Sequence, residues 1–185
     1  MKKMIIVCSE RMHKKISSKK NCVFLDPVSV KKDIRSLIKQ LIYQNIKTVI
    51  IIDECIVLDK SVKDDIFIVT DHINMTGDNP LIGKNDDSVG PRFPDMTDAY
   101  SPELRETLKR LLSDNSIDYR KSILACSEKP IEDHEVLSKL KSLNCHISNF
   151  SIPWVSIAAN HAGMRVAGLA LRKDADIDLS FIDRL

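Results

Sequence analysis

Two short stretches, KTVIII at 47–52 and DIFIVT at 65–70, constrain this chain more than any others. They are near-continuous runs of β-branched and other apolar residues, so a strand made from either must be covered on both faces. Ahead of the first run, Val30, Ile34, Leu37, Ile38, Leu41 and Ile42 recur at helical spacing, with Lys31, Lys32, Arg35 and Lys39 opposite. That spacing predicts an amphipathic helix ending near Asn45, opened by Asp26 as a cap and by Pro27 in the first turn. Strand, helix and strand in this order imply a parallel α/β sheet.

The remaining elements extend the same architecture. MIIVC (4–8) and CVFL (22–25) are short apolar runs that predict buried strands, joined by a lysine-rich connection. Ser101-Pro102 opens a helix to about Leu112, with Ser101 as cap and Leu104, Leu108, Leu111 and Leu112 as its buried stripe. KSILAC (121–126) predicts a further strand, and 131–143 a helix with Val136, Leu137 and Leu140 inward. PWVSIAANH (153–161) predicts a helix stopped by Gly163 in a left-handed cap, and MRVAGLAL (164–171) the last core strand. DECIVLDKSVKDD, between the two strongest strands, reads as a turn with a short irregular strand. The tail beyond 171 reads as a final helical turn or a frayed end.

Composition narrows the function classes. A net charge of +2 from 28 basic and 26 acidic interspersed residues calls for neither nucleic acid nor an anionic membrane as partner. The N-terminal apolar run is too short for a signal peptide, and nothing approaches a membrane span. Five cysteines (Cys8, Cys22, Cys55, Cys126 and Cys145), widely spaced and without a CxxC pair, read as reduced thiols of a cytoplasmic protein. The histidines and cysteines have no metal-ligand spacing, so no metal is expected.

One long segment stands apart. From Asp71 to Tyr100 the chain places three of its five glycines (Gly77, Gly83, Gly90) and three of its seven prolines (Pro80, Pro91, Pro94) close together. Compact domains rarely keep connections beyond about 15 residues unless they bind, cover a site or join subunits. Ile73, Met75, Leu81, Ile82, Phe93, Met96 and Tyr100 make it too apolar for a solvated linker.

The 36-residue run DIFIVTDHINMTGDNPLIGKNDDSVGPRFPDMTDAY resembles the corresponding run of the trimeric purine nucleoside phosphorylases, with the DHIN, NPL, GPRFPDM and DAY elements in the same order. FSIPWVSIAANHAGMRVAGLAL is similar to that family's serine-containing turn, following helix and last core strand. The resemblance covers roughly 45–175; residues 1–44 form a strand–strand–helix start without a match. It implies a single-domain three-layer α/β sandwich around a mostly parallel mixed sheet, reduced at both termini. The implied activity is pentosyl transfer: a purine nucleoside and phosphate give the base and ribose 1-phosphate, with phosphate as co-substrate and no other cofactor. A homo-oligomer, with a trimer favoured, is implied as well.

Position by position, the resemblance puts Ser151 at a phosphate-contacting serine, Phe150 under the ribose, and Phe93 in the ribose site of an adjacent subunit. Asp174 falls near the residue that contacts the purine. Elsewhere the chain departs from the pattern. It has no glycine before Gly77, so a glycine-rich phosphate turn is missing, and Asp53 and Glu54 put two carboxylates where phosphate would be repelled. Lys129 and Pro130 occupy the base-binding turn, and proline offers no side-chain hydrogen bond. Two function classes follow: a reduced nucleoside phosphorylase, or a hydrolase using water, with Lys129 among its substitute groups; and a non-catalytic homologue that keeps the fold and oligomer surface as a structural or regulatory partner or a weak nucleobase-binding oligomer subunit. Ser151 reads equally as an anion contact or as the cap of the helix after it, Asp174 as a solvated turn residue, and His161 as a packing residue.

Overall fold

The computed structural model describes residues 4–16, 22–24, 27–173 and 175–185. Its sheet contains β1 (Met4–Cys8), β2 (Cys22–Phe24), β3 (Thr48–Val57), β4 (Ile66–Asn74), β5 (Arg120–Cys126), β6 (Cys145–Ser148) and β7 (Arg165–Arg172). The helices are α1 (Glu10–Lys15), α2 (Pro27–Tyr43), α3 (Pro102–Asp114), α4 (His134–Ser142) and α5 (Ser151–His161), followed by a 3-10 turn at Ser180–Arg184. Asp26, expected to cap α2, and Leu25, expected to end β2, lie outside the described residues.

Parallel and antiparallel pairings are mixed. β1 lies between β2 and β3, all parallel. β3 also pairs with β7 in parallel, β7 with β4 antiparallel, β4 with β5 and β5 with β6 in parallel, and β6 returns to β3 antiparallel. The sheet therefore curls into a partial barrel of β3, β7, β4, β5 and β6, where a three-layer sandwich around a mostly parallel mixed sheet was expected. The local reason is β6, a four-residue strand that sequence patterning does not reveal. It joins β5 to the far end of β3, where Ile56 pairs with Ser148 and Val57 with Ile147.

Alternation along β3 divides the core. Val49 and Ile51 face one apolar cluster with Ile34, Ile38, Leu41, Trp154 and Val155 of α2 and α5, whereas Ile50 and Ile52 face another with Leu104, Leu108, Leu112, Phe181 and Ile182. β3 continues past Ile52 through the stretch read as a turn, because Asp53, Glu54 and Cys55 keep their ladder with Ala170, Leu171 and Arg172 of β7. β4 likewise runs on through Asp71–Asn74, with a register shift between Val69 and Asp71, so the true loop begins at Met75. Ser101 caps α3 as expected, accepting from the Leu104 N–H. Gly163 has φ 65°, the left-handed conformation expected of it after α5. Among the described residues, no helix is long and apolar enough to cross a membrane.

Candidate functional site

A partner exchange along β3 creates a chemically varied cleft. β1 ends with Cys8 opposite Ile52, and β6 begins to pair only at Ile56, so this edge of β3 is left without a strand at Asp53–Cys55. The chain turns away from β1 at Ser9 at the same level. In α/β sheets such switch points at carboxyl ends of strands are where ligands find room. Here the gap opens into a cleft of about 480 Å³ lined by Arg11, Asp53, Glu54, Lys129, Asn149, Phe150 and Ser151, among others.

Asn149 repairs the gap. Its Nδ2 donates to the Glu54 carbonyl at 2.7 Å, doing what a neighbouring strand would do, and to Asp53 Oδ2 at 3.0 Å. Its Oδ1 accepts from the Ile152 N–H at 2.7 Å and so caps the start of α5. Asn149, not Ser151, therefore performs the capping that was one of the two readings of Ser151. The helix begins two residues earlier than expected and takes Ser151 into its first turn, where that residue is buried with 7% exposure.

The cleft carries charges of both signs, with acidic residues in slight excess. Asp53 is only 6% exposed, and its Oδ1 accepts from the Glu54 N–H at 2.8 Å. Glu54 pairs with Arg11 at 2.7 Å. Lys129 and Lys173 add positive charge, and Glu10 and Glu128 negative charge. Among the described residues, the cleft has no cradle of uniformly positive groups for an anion. Phe150, on the cleft wall, packs on buried Trp154 with ring centroids 4.8 Å apart, and Lys31 of α2 reaches over both rings at 6.0 and 5.9 Å while pairing with Glu128. Burial holds the thiol of Cys55, which lines the cleft, well above the usual thiol range, and pushes Cys126 up to about 12 and Cys145 to about 11, so these three stay protonated near neutral pH. Among the described residues, no three His, Cys, Asp or Glu side chains are grouped to hold a metal ion.

Of the four residues expected at the site, Phe150 and Ser151 meet in this cleft. Phe93, 86% exposed, lines a different cavity with His72, Ile82, Arg92 and Pro94. Asp174 lies outside the described residues. Ser9, Arg11 and Asn149 went unremarked in the sequence. The signals were faint: a serine directly after a strand, and an asparagine three residues before a helical isoleucine.

Over residues 27–181 the chain matches the Phosphorylase superfamily. It belongs to that superfamily. Within it, the chain is 37% identical to purine nucleoside phosphorylase 1 of Bacillus subtilis over 112 residues, 60% of this chain and 41% of that protein. It is 32% identical to the purine nucleoside phosphorylase of Mus musculus over 113 residues, 58% of this chain and 39% of that protein. The match thus spans about two fifths of these relatives' own length. In fold, the chain superposes on Schistosoma mansoni purine nucleoside phosphorylase in complex with adenosine with a TM-score of 0.79 at 17% identity, covering 98% of this chain and 82% of that one. The isoform 2 enzyme of the same organism, in complex with cytosine and ribose-1-phosphate, gives 0.77 at 19% identity, covering 91% and 75%.

The loop from Met75 to Ser101 is anchored to α2 and α5. Arg35 of α2 donates to the carbonyls of Pro80 and Ile82, the latter at 2.6 Å, and Lys39 pairs with Asp86 at 2.8 Å. His161 of α5 bonds Asn85 at 3.1 Å, the packing role expected of it, and Asn160 donates to the Ala99 carbonyl at 2.9 Å. Gly90 lies so close to α5 that an added Cβ would stand 1.7 Å from the His161 carbonyl oxygen.

Proposed function

We propose that this chain is a purine nucleoside phosphorylase-like protein that takes a purine nucleoside, or its base, into the cleft beside Asp53, Asn149, Phe150 and Ser151. The observation that carries this reading is the coincidence of a strand-end cleft with Phe150 and Ser151, the two residues that the resemblance assigns to ribose and phosphate. The associated reaction class is cleavage of the glycosidic bond of the nucleoside, for which the resemblance implies phosphate as co-substrate and ribose 1-phosphate as product. The relatives' names and the nucleoside, base and ribose-1-phosphate complexes of the Schistosoma enzymes support the substrate class. The protein works in the cytoplasm as a homo-oligomer, preferably a trimer, with exposed Phe93 presented to a neighbouring subunit.

A second reading, a non-catalytic subunit that keeps the oligomer surface, is favoured by one specific feature: Asp53 and Glu54 stand in the cleft where phosphate would be repelled. Release of base from inosine, guanosine and adenosine, with and without phosphate, separates the two. We expect turnover of at least one nucleoside. Absence of turnover, with calorimetric binding of purines retained, leaves the non-catalytic reading; absence of binding as well removes the nucleoside site altogether.

A further inference from the structure

Beside the main cleft, and sharing Ser9, Asp53 and Ser151 with it, lies a second hollow of about 10 Å³, otherwise walled by apolar residues such as Val30, Ile51 and Val155. That room suits about one water molecule and no phosphate ion. Its polar wall is chemically specific. Asp53 supplies a carboxylate held from two directions by the Glu54 N–H and the Asn149 amide. The Ser9 hydroxyl oxygen is buried and has no hydrogen-bond partner among the described residues. Ser151 is buried at the start of α5 on the same hollow. A buried hydroxyl costs free energy until it is bonded, and one water between Ser9, Asp53 and Ser151 would satisfy it.

We infer that this protein uses water in place of phosphate and hydrolyses the N-glycosidic bond of a purine nucleoside, with Asp53 as general base and Ser9 and Ser151 orienting the water. The inference rests on the nucleoside-binding reading of the cleft. In the step, the C1′–N9 bond breaks and its electron pair stays on the purine, while the water oxygen bonds C1′. The proton lost by water passes to the Asp53 carboxylate, solvent protonates the departing base, and Asp53 returns its proton to solvent. The products are free base and free ribose. A carboxylate that repels phosphate is, in this chemistry, the group that activates the nucleophile. The same residue that counts against phosphorolysis thus counts for hydrolysis.

The full chain is incubated with inosine, guanosine and adenosine in phosphate-free buffer containing H₂¹⁸O, and free ribose, its C1 label and ribose 1-phosphate are followed by mass spectrometry. We expect labelled free ribose at a rate that added phosphate does not raise. D53N lowers that rate by about 100-fold or more while nucleoside affinity, measured by calorimetry, stays within about threefold. S9A lowers it by about tenfold. Thermal melting of each variant checks that it is folded, and S9A stands as the second variant if D53N is not. Ribose 1-phosphate as the sole sugar product overturns hydrolysis and leaves the nucleoside cleft intact. Nucleoside binding without any sugar product also overturns it. No binding at all removes the cleft reading with it.

Discussion

The loop from Met75 to Ser101 and the cleft around Asp53 are built on opposite logics. The loop satisfies its own backbone, through Asx-type bonds such as the Asp86 carboxylate accepting from the Ser88 N–H at 3.1 Å, and is then pinned by Arg35, Lys39, Asn160 and His161. Its residue types are tied to geometry, because an unpaired buried backbone group or a clash at Gly90 has no alternative solution. The cleft needs only one such residue, Asn149, which bridges β3 and α5. Side chains such as Arg11 and Lys129 face the opening, where one polar group can replace another without disturbing the sheet. Regions that hold themselves together therefore keep a recognisable sequence, while regions that act on something else can change their chemistry inside the same fold.

The largest test of this contrast is G90A. Its new methyl group meets the backbone carbonyl of His161, not the end of a side chain, so relief requires the loop or α5 to move. We expect a loss of about 3 kcal/mol in urea unfolding, the upper part of the overpacking range. A loss near zero would show that the loop is far looser than its contacts imply.

N149A probes the cleft in the same currency. It leaves Asp53 and the Glu54 carbonyl each short of a donor and removes the cap on Ile152. About 2 kcal/mol of stability should disappear, with amide exchange accelerated at the start of α5 and not in the loop. Acceleration spreading to the loop would mean the two regions are one cooperative unit.

A smaller effect is expected for R35A, which removes a side chain exposed at its tip but bonded to three loop carbonyls, those of Pro80, Ile82 and Lys84. We expect about 1 kcal/mol and faster proteolytic cleavage between Met75 and Ser101, with nucleoside affinity in the cleft unchanged.

The smallest effect concerns pH. Hydrogen bonds from Lys39 and then Ser88 pull the Asp86 carboxyl down to about 2. An unperturbed aspartate titrates near 3.9, so the stabilisation is present in full above that value and is lost as pH falls through about 2. The difference in urea midpoint between the wild type and D86N should accordingly shrink between about pH 4 and pH 2. A difference that stays constant across that window would show that the Lys39–Asp86 pair does not hold the loop.

Sequence by itself determined the elements whose residues answer to local rules or to continuous burial. The apolar runs of β3, β4, β5 and β7, the stripe of α2, the Ser101 cap and the Gly163 stop could all be read, because strand or helix periodicity and capping chemistry act within a few residues. The loop could also be recognised, since glycine, proline and Asx positions carry their geometry with them. Only the tertiary structure decided the rest. Four-residue β6 has too little pattern to be seen, yet it curls the sheet and sets the end of the gap in β3. Asp53 and Glu54 looked like a turn because they are charged, and became strand because β7 runs beside them. The meeting of Ser9 with Asp53 and Ser151, and the reach of Asn149 across two elements, depend on strands distant in sequence ending at one level. Such coincidences of register have no local code, and the chemistry of the cleft is made of them.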